Sequence, residues 1–136
     1  MTVALEGAAH SARRFQALAA LLLAMATVVG AFGAHALKTR LPIDRYEILQ
    51  TAVHYQFFHA LGLLGVGLLL ERAGTRHLHN AARLLLVGIL LFSGSLYLLI
   101  AGAPRWLGAV TPVGGLCLIG GWLLAAWALY RREPRS

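Results

Sequence analysis

Four uninterrupted apolar runs divide this chain of 136 residues. They extend from about residue 15 to 37, 48 to 70, 81 to 103 and 106 to 130. Each is near or above the roughly 20 residues a helix needs to cross the hydrocarbon core of a bilayer. Their interiors hold no Asp, Glu, Lys or Arg, apart from Arg83 near the start of the third. Lipid offers backbone polar groups no partner, so each run must satisfy its own N–H and C=O groups as a helix. A barrel would need short alternating strands, and these runs do not alternate. The predicted fold is an all-α integral membrane protein, a single four-transmembrane-helix bundle over residues 1–136. The composition agrees. It is 59% hydrophobic and only 12% charged, against roughly 45–50% and about 25% in soluble domains.

Arginine and lysine sit at the ends of the runs, where their placement predicts orientation. Arg13 and Arg14, then Arg72, Arg76 and Arg83, then Arg131, Arg132 and Arg135 place eight cations on one side. Lys38, Arg40, Arg45 and Arg105 place four on the other. Both termini are therefore expected in the cytoplasm. Tyr46 and Trp106 on the outer side, and Trp127 and Tyr130 on the inner, fit interfacial positions. The first run also has the look of a signal peptide, with Arg13-Arg14 ahead of it and Ala34-His35-Ala36 near its end. It is too long for a typical signal core, and a spanning helix is the expectation.

The net charge of +7 does not point to nucleic acid, because the arginines flank apolar runs rather than lining one face. Anionic lipid headgroups at the cytoplasmic side are the expected partners. Cys117 is the only cysteine, so an internal disulfide is excluded, and no zinc spacing exists.

The second helix carries the unusual residues. At 100° per residue, Thr51, His54, Tyr55, Phe58, His59, Gly62 and Gly65 share an arc of about 140°. Val53, Phe57, Ala60, Leu64 and Leu68 fill the opposite side. The expectation is that the first face packs on neighbouring helices and the second meets lipid; Gln56 falls outside the arc and is left unassigned. Histidine inside a membrane helix points to a functional site, or to an interhelical hydrogen bond. His54 and His59 are five residues apart, about 140° around the helix, which is poor for holding one metal ion. His35 could approach from the first helix, but no Cys or acidic residue completes a site, and no metal or cofactor is expected. His77 and His79 are read as solvated residues of the second connection.

Small residues recur at packing intervals that let backbones approach closely. Ala19, Ala26 and Gly33, with Gly30, form one stripe; Ala81, Gly88, Ser95 and Gly102 form another. In the fourth helix Gly108, Thr111, Pro112 and Gly115 share a face. Pro112 is expected to kink that helix, with Thr111 covering the carbonyl it leaves unpaired. Depth puts His54, Ser95, Tyr97, Thr111 and Pro112 in the outer half, as a polar cluster opening outward. The candidate site is accordingly His35, Thr51, His54, Tyr55, His59, Ser95, Tyr97, Thr111 and Pro112. Gly30, Gly33, Gly62, Gly65, Gly88 and Gly115 are the candidate packing glycines.

No nucleophile with a paired base, carboxylate pair or phosphate-cradling loop is visible, so the chain is read as no enzyme. Four sequence blocks carry a resemblance. They are Gly30-Ala-Phe-Gly-Ala-His-Ala-Leu37, Thr51-Ala-Val-His-Tyr-Gln-Phe-Phe-His-Ala-Leu-Gly62, Phe92-Ser-Gly-Ser-Leu-Tyr-Leu98 and Thr111-Pro-Val-Gly-Gly115. Together they resemble the YgdD-like family of small bacterial inner-membrane proteins, a domain of unknown function with related small transmembrane proteins in eukaryotes. The resemblance implies four helices in a bacterial inner (plasma) membrane and implies no activity. The expected function is binding of a lipid, small ligand or membrane partner by the outward-facing cluster. The alternative is a small proton-responsive channel or transporter using the intramembrane histidines. Four short helices barely enclose a pore, which leaves room for a homo-oligomer or a larger membrane complex.

Overall fold

A computed structural model describes residues 2–131, with side chains from residue 9 onward. Arg132 and Arg135, two of the cations counted toward orientation, lie outside the described residues. The chain forms α1 (Thr2–Phe32), a π turn (Gly33–Leu37), α2 (Ile43–Ala73), α3 (Arg76–Ile100), a 3-10 turn (Arg105–Ala109) and α4 (Val110–Arg131). Four segments, Ala9–Leu37, Ile43–Ala73, Arg76–Ile100 and Arg105–Arg131, are long and apolar enough to cross a membrane.

Local chemistry sets the element ends. Pro42 precedes α2, where its missing N–H costs nothing. Gly74 ends α2 in the left-handed conformation at φ 63°, and its N–H donates to the Leu70 carbonyl. Thr75 then caps α3, its Oγ accepting from Leu78 N at 3.2 Å. That cap starts α3 about one turn earlier than expected and draws His77 and His79 out of the predicted connection into the helix. At the far end the π turn is closed by the Lys38 N–H donating to the Gly33 carbonyl at 2.9 Å.

The helices run up and down, so the start of α1 and the end of α4, the termini end, lie with the α2–α3 turn. Each helix packs chiefly on its neighbour in chain order: α1 on α2, α2 on α3, α3 on α4. The core toward the termini end is apolar, built on Phe15, Leu22, Leu63, Leu70, Leu78, Leu85 and Leu118 with alanines between them. The α3–α4 seam is especially tight. A Cβ on Gly88 would lie 2.9 Å from the Leu118 backbone nitrogen, and one on Gly121 3.2 Å from that of Leu85. A Cβ on Gly114 would collide with the Phe92 backbone.

The predicted face of α2 is corrected here. Val53 and Ala60, assigned to lipid, are buried, as are Leu49, Ala52, Gln56, Leu63, Val66, Gly67 and Leu70. Thr51, His54, Tyr55, Phe58 and Gly65, assigned to the interior, are exposed. Phe57 and Leu68 do face outward. The physical reason is that α2 is wedged between α1 and α3, and close packing selects small and aliphatic side chains. Lipid is as apolar as the core, so hydrophobicity alone cannot separate the two faces.

Pro112 falls near the start of α4 and not in its interior. The helix starts at Val110, which puts the proline in the first turn, where N–H groups lack helical partners anyway.

Candidate functional site

The predicted site residues separate into three small groups and several isolated side chains, rather than forming one outward-opening cluster. The first group is a hydrogen-bonded bridge across three helices. Gln56, buried on α2, donates from Nε2 to the Leu22 carbonyl of α1 at 2.8 Å. Its Oε1 accepts from the Tyr97 hydroxyl of α3 at 2.7 Å. Nearby, Ser93 donates to the Ala52 carbonyl at 2.8 Å. The second group joins α3 to α4, with Ser95 Oγ and Thr111 Oγ1 2.7 Å apart. Thr111 thus serves Ser95 and not a carbonyl freed by Pro112. Every buried side-chain N or O among the described residues has a partner. These two groups do what interhelical polar contacts do in lipid: they fix register.

The third group is different because it opens outward. Tyr55 stacks on Phe92 of α3 (ring centroids 4.3 Å apart, planes 20° apart) and on His59 (5.4 Å, 20°). His59 Nδ1 lies 2.7 Å from the Tyr55 carbonyl. A carbonyl only accepts, so Nδ1 carries a proton, which in the neutral ring leaves Nε2 as the acceptor. His59 also lies 6.4 Å from Trp122 of α4. Tyr55, Phe58, His59, Phe92, Gly115, Leu118, Ile119 and Trp122 line a groove of about 380 Å³. A second, apolar groove of about 310 Å³, lined by Gly62, Gly65, Val66 and Ala125 among others, has Trp122 in common with it. His59 is near the midpoint of α2, so this groove faces the middle of the membrane.

The remaining candidates stay apart. His35 is exposed within the π turn. Thr51 donates to the Glu47 carbonyl of its own helix at 3.0 Å. His54 is exposed beside Phe58, and Pro112 is exposed at the start of α4. The predicted packing glycines divide similarly. Gly30, Gly33, Gly62 and Gly88 meet a neighbouring helix at short range; Gly115 has ordinary contact with Phe92; Gly65 has nothing within 4 Å of a would-be Cβ. The sequence reading missed Gln56, Phe92, Gly114 and Trp122. Gln56 was detectable as one of two amides in its apolar run, and the one farther from the helix end; Phe92 and Gly114 carry no polar flag.

At the termini end a second, polar cavity of about 320 Å³ lies where α1 passes the α2–α3 turn and the start of α3. His79 is half-buried there, its ring edge on Phe15 (5.4 Å) and its Nδ1 3.4 Å from Ser11 Oγ. Next to it Gln16 donates to the Gly67 carbonyl and to Glu71, and Glu71 is paired with Arg13 at 3.5 Å.

Residues 29–115 match the family described as "Protein of unknown function (DUF423)". A UPF0382 membrane protein of Staphylococcus epidermidis is 46% identical over 112 residues, covering 81% of this chain and 89% of the relative. The UPF0382 membrane protein YwdK of Bacillus subtilis is 40% identical over 111 residues, covering 81% and 90%. The UPF0382 inner membrane protein YgdD of Escherichia coli is 38% identical over 96 residues, covering 71% and 73%. No solved structure matches the chain.

Proposed function

This chain belongs to the DUF423 family, whose function is unknown, and from that premise we propose that it is a non-enzymatic inner-membrane protein that binds a lipid-soluble ligand carrying a hydroxyl group. The Escherichia coli relative is named an inner membrane protein, and four spanning helices suit the same location here. One observation carries the binding reading: a mid-membrane groove of about 380 Å³ with aromatic walls and a single imidazole acceptor at His59. Ligand pockets commonly have this size, an apolar lining and a few fixed polar groups. The Tyr55 carbonyl holds the His59 tautomer, so Nε2 is ready to accept a hydroxyl proton. In lipid, where water does not compete, such a bond orients a ligand whose body is held by apolar contact.

The lining offers an imidazole and a phenol but no carboxylate, thiol or cation, which supports binding over catalysis. Proton movement between His54 and His59 draws less support, because His54 is exposed beside Phe58 while His59 lies against Tyr55 and Trp122.

The test is ¹⁵N-imidazole NMR of the protein in lipid nanodiscs, titrated with dodecanol or with dodecyl methyl ether. The alcohol should shift the His59 Nε2 resonance, and the ether, which cannot donate, should leave it in place. An unmoved resonance with both compounds, or equal shifts with both, overturns the reading.

A further inference from the structure

The polar cavity at the termini end shares no lining residue with the His59 groove and lies near the helix ends, away from the mid-membrane depth of that groove. Its lining includes Ser11, Thr75, Arg76, His79, Asn80 and Arg83. Residues 76, 79, 80 and 83 are spaced as one face of a helix, so α3 turns two guanidiniums, an imidazole and an amide toward the same space. Among the described residues, Arg76 and Arg83 make no ion pair. The one described carboxylate at this end, Glu71, is held by Gln16 and Arg13 on the α1–α2 side. Among the described residues no acid balances this concentration of donors, which makes it a site for an oxyanion. Guanidinium groups bind phosphate oxygens in a bidentate fork. Depth narrows the choice further. The cavity spans the first two turns of α3, about 10 Å along the axis, and the four helix ends here stand where lipid headgroups begin.

We infer that this cavity is a binding site for a phosphate group, with Arg76 and Arg83 as its principal contacts and His79, Asn80 and Ser11 on its walls. An anionic phospholipid headgroup and free inorganic phosphate share that chemistry.

Native mass spectrometry of the detergent-purified protein tests the site. Phosphatidylglycerol, phosphatidylcholine and inorganic phosphate are added separately, and then phosphatidylglycerol against phosphate. The wild type and R45Q/R105Q, which loses equal charge at the other end, should each retain one phosphatidylglycerol in preference to phosphatidylcholine. R76Q/R83Q should bind it about thirtyfold more weakly, at about fivefold per interfacial arginine. N80D, which keeps both arginines and adds a negative charge to the wall, should also weaken binding, and it covers the case in which the double variant does not fold. Phosphatidylglycerol binding that excess phosphate does not displace identifies the lipid as the source. Displacement by phosphate, with phosphate retained by wild type and lost in N80D, identifies the free anion. Equal binding by wild type and both variants, or no preference over phosphatidylcholine together with no phosphate binding, overturns the inference.

Discussion

Gln56 shows what one side chain does in this molecule. Its amide spans from the Leu22 carbonyl on α1 to the Tyr97 hydroxyl on α3, so it ties three helices at one depth. Interhelical hydrogen bonds in membranes contribute roughly 0.6–2 kcal/mol each. Tyr97→Phe should therefore lower stability by about 1 kcal/mol in an unfolding titration in mixed micelles, and Gln56→Leu by somewhat more, since two bonds go. A double-mutant cycle between them should show coupling of about 0.5–1.7 kcal/mol. Strictly additive losses would mean that the bridge is a geometric coincidence. Gln56 also marks the limit of sequence reading at this scale. Its position in an apolar run is visible, but its partners are a backbone carbonyl 34 residues away and a tyrosine 41 residues away, and no local pattern encodes either. His54 is the converse case. Its chemistry drew attention, yet it is exposed beside Phe58 of its own helix.

Helix contacts here depend on where a Cβ is missing. Gly65 on α2 and Gly114 on α4 both lie in glycine-rich helices, yet they should respond oppositely to alanine. At Gly114 the added methyl meets the Phe92 backbone, which cannot turn away as a side chain can. Gly114→Ala should push α3 and α4 apart and cost about 1–3 kcal/mol, the usual range for overpacking. At Gly65 nothing lies within 4 Å, and alanine should be neutral or slightly stabilising, given its better helix propensity. Thermal unfolding of the two variants in one detergent checks the contrast, and equal losses would contradict the packing described. The existence and number of the helices were legible in the sequence, because a bilayer admits apolar runs of this length only as helices. The identity of the packed face was not. On α2 the true seam, Leu49, Ala52, Val53, Gln56, Ala60 and Leu63, repeats at steps of three and four, but its residues are chemically close to those facing lipid. Polarity was the only sorting signal, and for α2 it selected residues that line a lipid-facing groove instead of the interior.

The whole molecule adds an orientation to be measured. Both described helix ends nearest the termini, with the α2–α3 turn, share one side, and Arg13, Arg14, Arg72, Arg76, Arg83 and Arg131 stand there. Cationic residues near helix ends are retained on the cytoplasmic side. A single cysteine placed at Thr39, in a variant with Cys117 replaced, should react with an impermeant maleimide in intact cells, and one at Gly74 should react only after permeabilisation. The reverse pattern would put the termini end, and the proposed phosphate cavity with it, in the outer leaflet without altering its chemistry.

Because each helix leans mainly on the one before it in the chain, nothing in the contact order requires the four to be one polypeptide. The α1–α2 hairpin and the α3–α4 hairpin each carry their own tight seam, and they meet through the Ser93–Ala52 and Tyr97–Gln56 bonds, the Tyr55–Phe92 stack, the contacts of His79 with Phe15 and Ser11, and aliphatic packing. A gene cut at Gly74 should thus yield two hairpins that insert separately and find each other in the bilayer. Co-purification of the halves from cells expressing both, abolished or strongly weakened by Gln56→Leu with Ser93→Val, would show a protein assembled laterally from two independently inserted parts.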